Sequence, residues 1–184
     1  MTERLFYTTR LNWRSLSMHY DQAAVYRQFA DADMCRYFDE PPCTLAEAQA
    51  IITHYAVAPS DDRYCRFALI HRDTEAFVGT CGYHFLDRSL QSVEIGYDIW
   101  KEYWRQGYAR ELLPQLLDIC FAVTDVNLVY AVIHPNNAAS IGVVVSAGFV
   151  QIAPPPRIAD TSCVVYGITR SERYSTTSVS GTAS

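Results

Sequence analysis

The chain has 184 residues, 49% of them hydrophobic and 19% charged, a balance that suits one globular domain able to bury a substantial core. A formal net charge of -5 supplies no basic face for a phosphate backbone, so no nucleic-acid partner is expected. No run is apolar and long enough to span a bilayer and no basic segment leads into one, so no membrane partner is expected and the chain reads as cytoplasmic.

Residues 4–11 and 13–16 mix apolar and polar side chains as an extended segment does, and residues 21–30 place apolar ones at helical spacing. The stretch MCRYFDEPPC ends in a Pro-Pro breaker. The TLAE that follows is a capping box, in which Thr44 caps and Glu47 reaches back, so a second helix is predicted from about residue 45 to 56. After Cys65 the period changes to two: RFALIH, FVGTCGYHFLD and SVEIGYDIW, separated by turn residues, predict three strands in a meander. ELLPQLLDICF then reads as a helix, LVYAVIH as a strand, NNAASIGVVVSAGF as a helix closed by Gly148, and CVVYGIT as a last strand. Pro114 deletes the hydrogen bond to the Arg110 carbonyl and is expected to kink its helix or lie in the first turns. The Ser/Thr-rich end has too few apolar residues to pack, which sets residues 1–170 as the domain and 171–184 as a disordered tail.

The six cysteines show neither CxxC pairs nor zinc-finger spacing and the five histidines form no HExxH, so reduced thiols and no metal are expected. Cys81 in GTCGY reads as a small buried strand residue rather than an acyl-carrying nucleophile, because no paired base is visible.

The segment EYWRQGYARELL opens a helix without the Ser, Thr, Asp or Asn that normally satisfies the first backbone N–H groups. Gly107 permits close backbone approach, Ala109 keeps the surface small, and Arg105 and Arg110 add positive charge on either side. An anion such as phosphate can serve as the cap there. The pattern is neither a P-loop, since no GK[ST] follows, nor GxGxxG.

WRQGYA, residues 104–109, resembles the Q/R-x-x-G-x-G/A motif of the GNAT acetyltransferase superfamily, in the branch similar to the ribosomal-protein acetyltransferases RimJ and RimL, where Trp commonly leads. EIGYDIWKEYW, HPNNAASIGVVVSAGF and TTRLNWRSL resemble that branch in the same order, so the likeness spans about residues 4–169. The resemblance implies an α/β fold of mixed α+β character, with a mostly antiparallel, V-splayed mixed sheet flanked by helices. It implies acetyl-CoA as cosubstrate and no metal. The pantetheine arm would enter between SVEIGYDIW and LVYAVIH, bonding backbone near Ile99, and the pyrophosphate would rest on the helix start built from Trp104, Arg105, Gln106, Gly107, Tyr108, Ala109 and Arg110. Asn137 matches the family's pantetheine-contacting asparagine, while its position after Pro135 equally suits a helix N-cap; Ser140 lies one turn on.

Acetyl transfer to an amine needs a neutral amine, a polarised thioester and a proton for the thiolate. Strand alternation puts Val93, Ile95, Tyr97 and Ile99 on one face and Glu94, Gly96 and Asp98 on the other, which makes Glu94 the candidate base and leaves a structural ion pair as its alternative. Many superfamily members carry Tyr two turns into the helix after the asparagine; this chain has Val144, which leaves Ser140 as the nearby hydroxyl for the sulfur. For the acceptor, Asp31, Asp33, Asp39 and Glu40 could attract a cationic amine between Tyr37 and Phe38, although a solvated acidic loop fits the same residues. The expected enzyme, a monomer or homodimer, acetylates a primary amine, on a peptide N-terminus or a small molecule, by direct attack in a ternary complex. A catalytically weak acyl-CoA-binding module is the alternative.

Overall fold

The structure, a computed structural model, describes residues 6–37, 42–57, 64–159 and 162–175. Strands are β1 (Phe6–Tyr7), β2 (Leu11–Ser15), β3 (Cys65–His71), β4 (Phe77–Asp87), β5 (Ser92–Ile99), β6 (Leu128–Ile133), β7 (Val150–Ile152) and β8 (Val164–Thr169). Helices are α1 (Met18–Ala30), α2 (Ala32–Cys35), α3 (Leu45–Val57), α4 (Tyr108–Val123), α5 (Ala138–Ser146) and α6 (Arg170–Ser175). The strands form one sheet in the order β1-β2-β3-β4-β5-β6-β8-β7, antiparallel throughout except for the parallel pair β5 and β6.

The expected meander is present as β3, β4 and β5. The extended segment 4–11 is instead broken in two: the Thr8 N–H donates to the Leu11 carbonyl at 2.8 Å and turns the chain back on itself between β1 and β2. Helix α1 starts three residues earlier than its periodicity predicts, because the Asp21 carboxylate accepts the Ser17 N–H at 2.8 Å and two Arg14 bonds at 2.6 and 2.7 Å. The capping box is formed: Glu47 Oε2 accepts from the Thr44 N–H at 2.6 Å, and the Glu47 N–H donates to Thr44 Oγ1 at 3.3 Å.

Two apolar layers sandwich the sheet. Leu112, Leu113, Leu116 and Leu117 of α4 and Val144 of α5 pack with Trp13, Leu69, Val93 and Ile95, whereas Val25 of α1 and Ala48 and Ile52 of α3 pack with Leu16 and Ala68. Helix α5 ends in a Schellman motif: Phe149 N–H bonds Val144 O at 3.2 Å, Gly148 N–H bonds Val145 O at 3.0 Å, and Gly148 takes φ +93°. Pro114 sits inside α4 beyond its first turn, on the exposed face, where its missing N–H leaves the Arg110 carbonyl without its helical donor.

Two elements depart from the sequence reading. Strand β7 is three residues long and was not expected. Residues 171–175, assigned to a disordered tail, continue α6 and dock, with Arg173 paired to Asp118 at 2.9 Å and the Tyr174 ring 6.0 Å from that of Phe121. Residues 176–184 lie outside the described residues.

Candidate active site

Strands β5 and β6 pair only over Ser92↔Leu128, Val93↔Val129 and Glu94↔Tyr130; beyond Glu94 they part. Trp100 N–H donates to the Val78 carbonyl at 2.8 Å, so alternation turns the backbone of Asp98, Gly96 and Glu94 toward β4 and that of Ile95, Tyr97 and Ile99 toward the gap. From Ile95 to Ile99 this is about 16 Å of strand edge. The Ile99 carbonyl is engaged, because the Trp104 indole N–H reaches it at 2.6 Å. Ile99 N–H and both Tyr97 backbone groups, with the Ile95 backbone at the start of the edge, face the gap.

The start of α4 lies at the open end. Gly107 is its N-cap residue, in the left-handed region at φ +85°, and no side chain caps the helix. The first intrahelical bond is Glu111 N–H to the Gly107 carbonyl, so the N–H groups of Tyr108, Ala109 and Arg110 have no helical partner. Arg105 is also left-handed at φ +61° and, like Trp104, Gln106, Gly107 and Arg110, is exposed. Tyr108 is buried, so only its backbone is available to a ligand.

Arg10, which the sequence did not single out, joins this loop. Its guanidinium donates to the Gln106 carbonyl at 3.1 Å, lies 4.0 Å from the Tyr108 ring centroid, and would stand 3.7 Å from a Cβ on Gly107. Glu111 fixes it there, accepting from Arg10 Nε and N–H and from Thr8 Oγ1 at 2.6 to 2.7 Å. Burial pushes the Glu111 carboxyl up, but those hydrogen bonds outweigh it and hold the group below the ordinary glutamate value. A depressed folded-state pKa contributes stability that is present above the unfolded value near 4.3 and lost as pH falls through the folded one. Glu111→Gln should therefore lower stability at pH 7 and shrink its fall on acidification, in urea titrations at about pH 7 and pH 3. An undiminished acid dependence would reject this.

Glu94 and Ser140 sit on opposite faces of β5. Glu94 shares the α1 and α3 face with Asp98, and both of its oxygens are engaged: Oε1 by His84 Nε2 at 3.0 Å, Oε2 by the Arg157 guanidinium. The ion pair that the sequence left as the alternative is thus formed, and Arg157 and His84 were invisible as its partners. Asp98 pairs in turn with Arg66, which also bonds Thr80 Oγ1 at 2.8 and 3.0 Å.

On the other face, Tyr97 points to α5, its hydroxyl 3.1 Å from Ser140 Oγ. Burial pushes the Tyr97 phenol up to about 12 against the lowering effect of that hydrogen bond, so it remains a neutral donor at physiological pH. Asn137 Oδ1 caps α5 by accepting the Ser140 N–H at 3.1 Å. Val144 is fully buried. His134, at the end of β6, stacks on Tyr37 at 5.4 Å and accepts the Asn136 N–H at 3.1 Å.

Of the acidic segment before α3, Asp31 and Asp33 lie among the described residues, near Lys101. Asp31 caps α2 and pairs with Lys101, which lies 3.7 Å from Asp33. Phe38, Asp39 and Glu40 lie outside the described residues. Cys81 is fully buried, and burial holds its thiol well above the ordinary value, which does not favour a nucleophilic role. Among the described residues, no three His, Cys, Asp or Glu side chains cluster as metal ligands do, and no helix is long and apolar enough to cross a membrane.

A sheet that parts between two parallel strands, with an uncapped helix start at the mouth, sets an open strand edge beside backbone N–H groups suited to an anion. The family model of the acetyltransferase (GNAT) domain matches residues 10–150, and the chain belongs to that family of acetyl-CoA-dependent N-acetyltransferases. An uncharacterized N-acetyltransferase p20 of Bacillus licheniformis is 28% identical over 144 residues, 78% of this chain and 80% of that one. In fold the chain is similar to Mycobacterium smegmatis RimJ in complex with CoA-disulfide, at TM-score 0.74 and 20% identity over 88% of this chain and 83% of that one. It is similar also to the spermidine N-acetyltransferase of Vibrio cholerae in complex with CoA and spermine, at TM-score 0.73 and 20% identity over 90% and 98%.

Proposed function

We propose that this protein moves the acetyl group of acetyl-CoA to a primary amine, on a small molecule or a peptide N-terminus, by direct attack in a ternary complex, as a RimJ/RimL-like member of its family. The observation that carries this reading is the parting of β5 and β6 beyond Glu94, with free backbone groups along one edge and an uncapped helix at its mouth. Tyr97 and Ile99 would pair with the pantetheine amides, and Trp104 holds the Ile99 carbonyl end of that edge. Backbone N–H groups from Arg105 to Arg110, Gln106, Gly107, Tyr108 and Ala109 included, would hold the pyrophosphate, with the Arg10, Arg105 and Arg110 side chains as counter-charges. Asn137 caps α5 with its oxygen and has its amide nitrogen to offer the arm. Acetyl-CoA supplies an activated acyl thioester.

Glu94 stands on the acceptor side of the gap as part of the proton-accepting machinery, and Ser140 on the sulfur side, held by Tyr97. A hydroxyl that bonds sulfur only as negative charge develops acts on turnover rather than on binding. Ser140→Ala is expected to lower kcat by about one to two orders of magnitude, the loss of a charge-assisted hydrogen bond of roughly 1.5–3 kcal/mol, with acetyl-CoA affinity unchanged. Full turnover in that variant would remove Ser140 from the mechanism.

The experiment that tests the function is an acceptor panel of polyamines, amino sugars, amino acids and short peptides, with acetylated product followed by mass spectrometry. Acetyl-CoA binding without transfer to any of them would replace the enzyme reading by that of a binding module, the alternative left open by Val144 standing where many superfamily members carry Tyr.

A further inference from the structure

His84 on β4 stands directly opposite Glu94 on β5, with Nε2 at 3.0 Å from Glu94 Oε1. A carboxylate oxygen accepts, so Nε2 is the donor in this pair, and a ring that carries one proton has its lone pair on Nδ1. Among the described residues, Nδ1 has no hydrogen-bond partner. The ring leans over Gly96: a Cβ there would lie 3.1 Å from His84 Cε1 and 3.9 Å from Nδ1. Gly96 is two residues beyond the last paired position of β5 and β6, so the imidazole lies over the stretch of β5 that borders the gap.

The backbone is bent to achieve this. The β4–β5 register shifts between His84 and Asp87, and Phe85 within that bulge is left-handed at φ +56°, a costly conformation for a bulky residue. The Phe85 ring then serves as a platform 3.8 Å from the Arg157 guanidinium, which pairs with Glu94 and reaches the Tyr130 hydroxyl at 3.3 Å. Among the described residues, the charged groups around the imidazole are Glu94 and Asp98 from β5, Arg66 from β3 and Arg157 from the segment before β8, two of each sign.

We infer that His84 takes the proton from the attacking amine through Nδ1, and that Glu94, both of whose oxygens are occupied, is the positioning residue that fixes the ring and its tautomer. The inference rests on the acetyl-transfer reading above. In the step itself the amine nitrogen forms a bond to the thioester carbonyl carbon and the C–S bond breaks, its electron pair leaving on sulfur as thiolate. The N–H proton passes to Nδ1. The imidazolium, facing the Glu94 carboxylate, returns its proton to solvent, and the thiolate takes one up.

Two measurements test this. In protein labelled with 15N in the imidazole, without substrate, His84 is expected as the Nε2–H tautomer, and Glu94→Ala should give a tautomer mixture. An Nδ1–H ring in the wild-type protein, or one doubly protonated from about pH 6 to about pH 9, would overturn the inference. In turnover, His84→Ala is expected to lower kcat/KM by about two orders of magnitude, to leave the acetyl-CoA Kd unchanged, and to regain rate when imidazole is added. His84→Gln, which keeps a donor for Glu94, should be equally impaired and serves where the alanine variant fails to fold. Full turnover with an unaltered pH–rate profile in either variant, beside an active wild-type protein, overturns this inference alone. Absence of transfer by the wild-type protein to any amine of the panel overturns the transfer reading and the inference with it.

Discussion

Gly107→Glu is expected to raise the acetyl-CoA Kd by roughly two orders of magnitude or more, about 3 kcal/mol, in a protein that still folds. At φ +85° the residue sits where a side chain is strained, yet a Cβ there meets only Arg10 Nη2 at 3.7 Å, so the penalty falls on the loop and not on the core. The new carboxylate would pair with the Arg10 guanidinium and set negative charge among the unpartnered N–H groups of α4, where an anion is otherwise favoured. Gly107→Ala separates the two effects, because it brings the strain without the charge and should weaken binding far less. Calorimetric titration measures both, with circular dichroism to establish that each variant is folded. Wild-type affinity in folded Gly107→Glu would remove the phosphate cradle from this loop.

Gly82→Ala should cost about 3 kcal/mol or more in urea unfolding, a large part of the roughly 5–15 kcal/mol that stabilises an ordinary domain. A Cβ at Gly82 would lie 1.9 Å from the Cys65 carbonyl oxygen and 2.8 Å from the Arg66 Cα, both of them backbone of the adjoining strand, so β3 and β4 must separate to admit it. Gly142→Ala is the contrast. It lies inside α5 with nothing within 4 Å of the added methyl, and gaining a better helix former there should stabilise by about 0.5–1 kcal/mol. A Gly82→Ala variant within about 1 kcal/mol of the wild type would show that the strands yield more easily than their spacing implies.

What could be read from the residues, and what could not, follows from the range of the interactions involved. The meander was legible because alternation over seven to eleven residues is a local signal, and the helix starts because Thr44 and Glu47, or the missing cap at Gly107, act within one turn. Strand β7 has three residues, too few for a period to show. Helix α6 is held by Arg173 on Asp118 and Tyr174 on Phe121, contacts made across more than fifty positions, so its polar composition alone suggested a free tail. In the candidate site, the parity of β5 placed Glu94 and Tyr97 on opposite faces correctly. The groups they meet were out of reach: His84 is set against Glu94 by strand register, Arg157 arrives from 63 residues away, and Arg10 is bound to Glu111 across 101. The bulge at Phe85 carried one available sign, a strand run long enough at eleven residues to need bending, without showing where the bend would fall.

The sheet ends on strands of two and three residues, β1 and β7, so its outer rims offer little template for another chain to extend. Its longest unpaired stretch lies in the interior, from Ile95 to Ile99, facing β6 across the gap. The ladder is thus left incomplete inside the sheet, and under the proposed function a guest there would be recognised by its own amide groups before any feature of its acyl end. Carriers of the same acetyl group that lack those amides would forgo that pairing, which would make the enzyme a reader of the handle on which its acyl group is delivered.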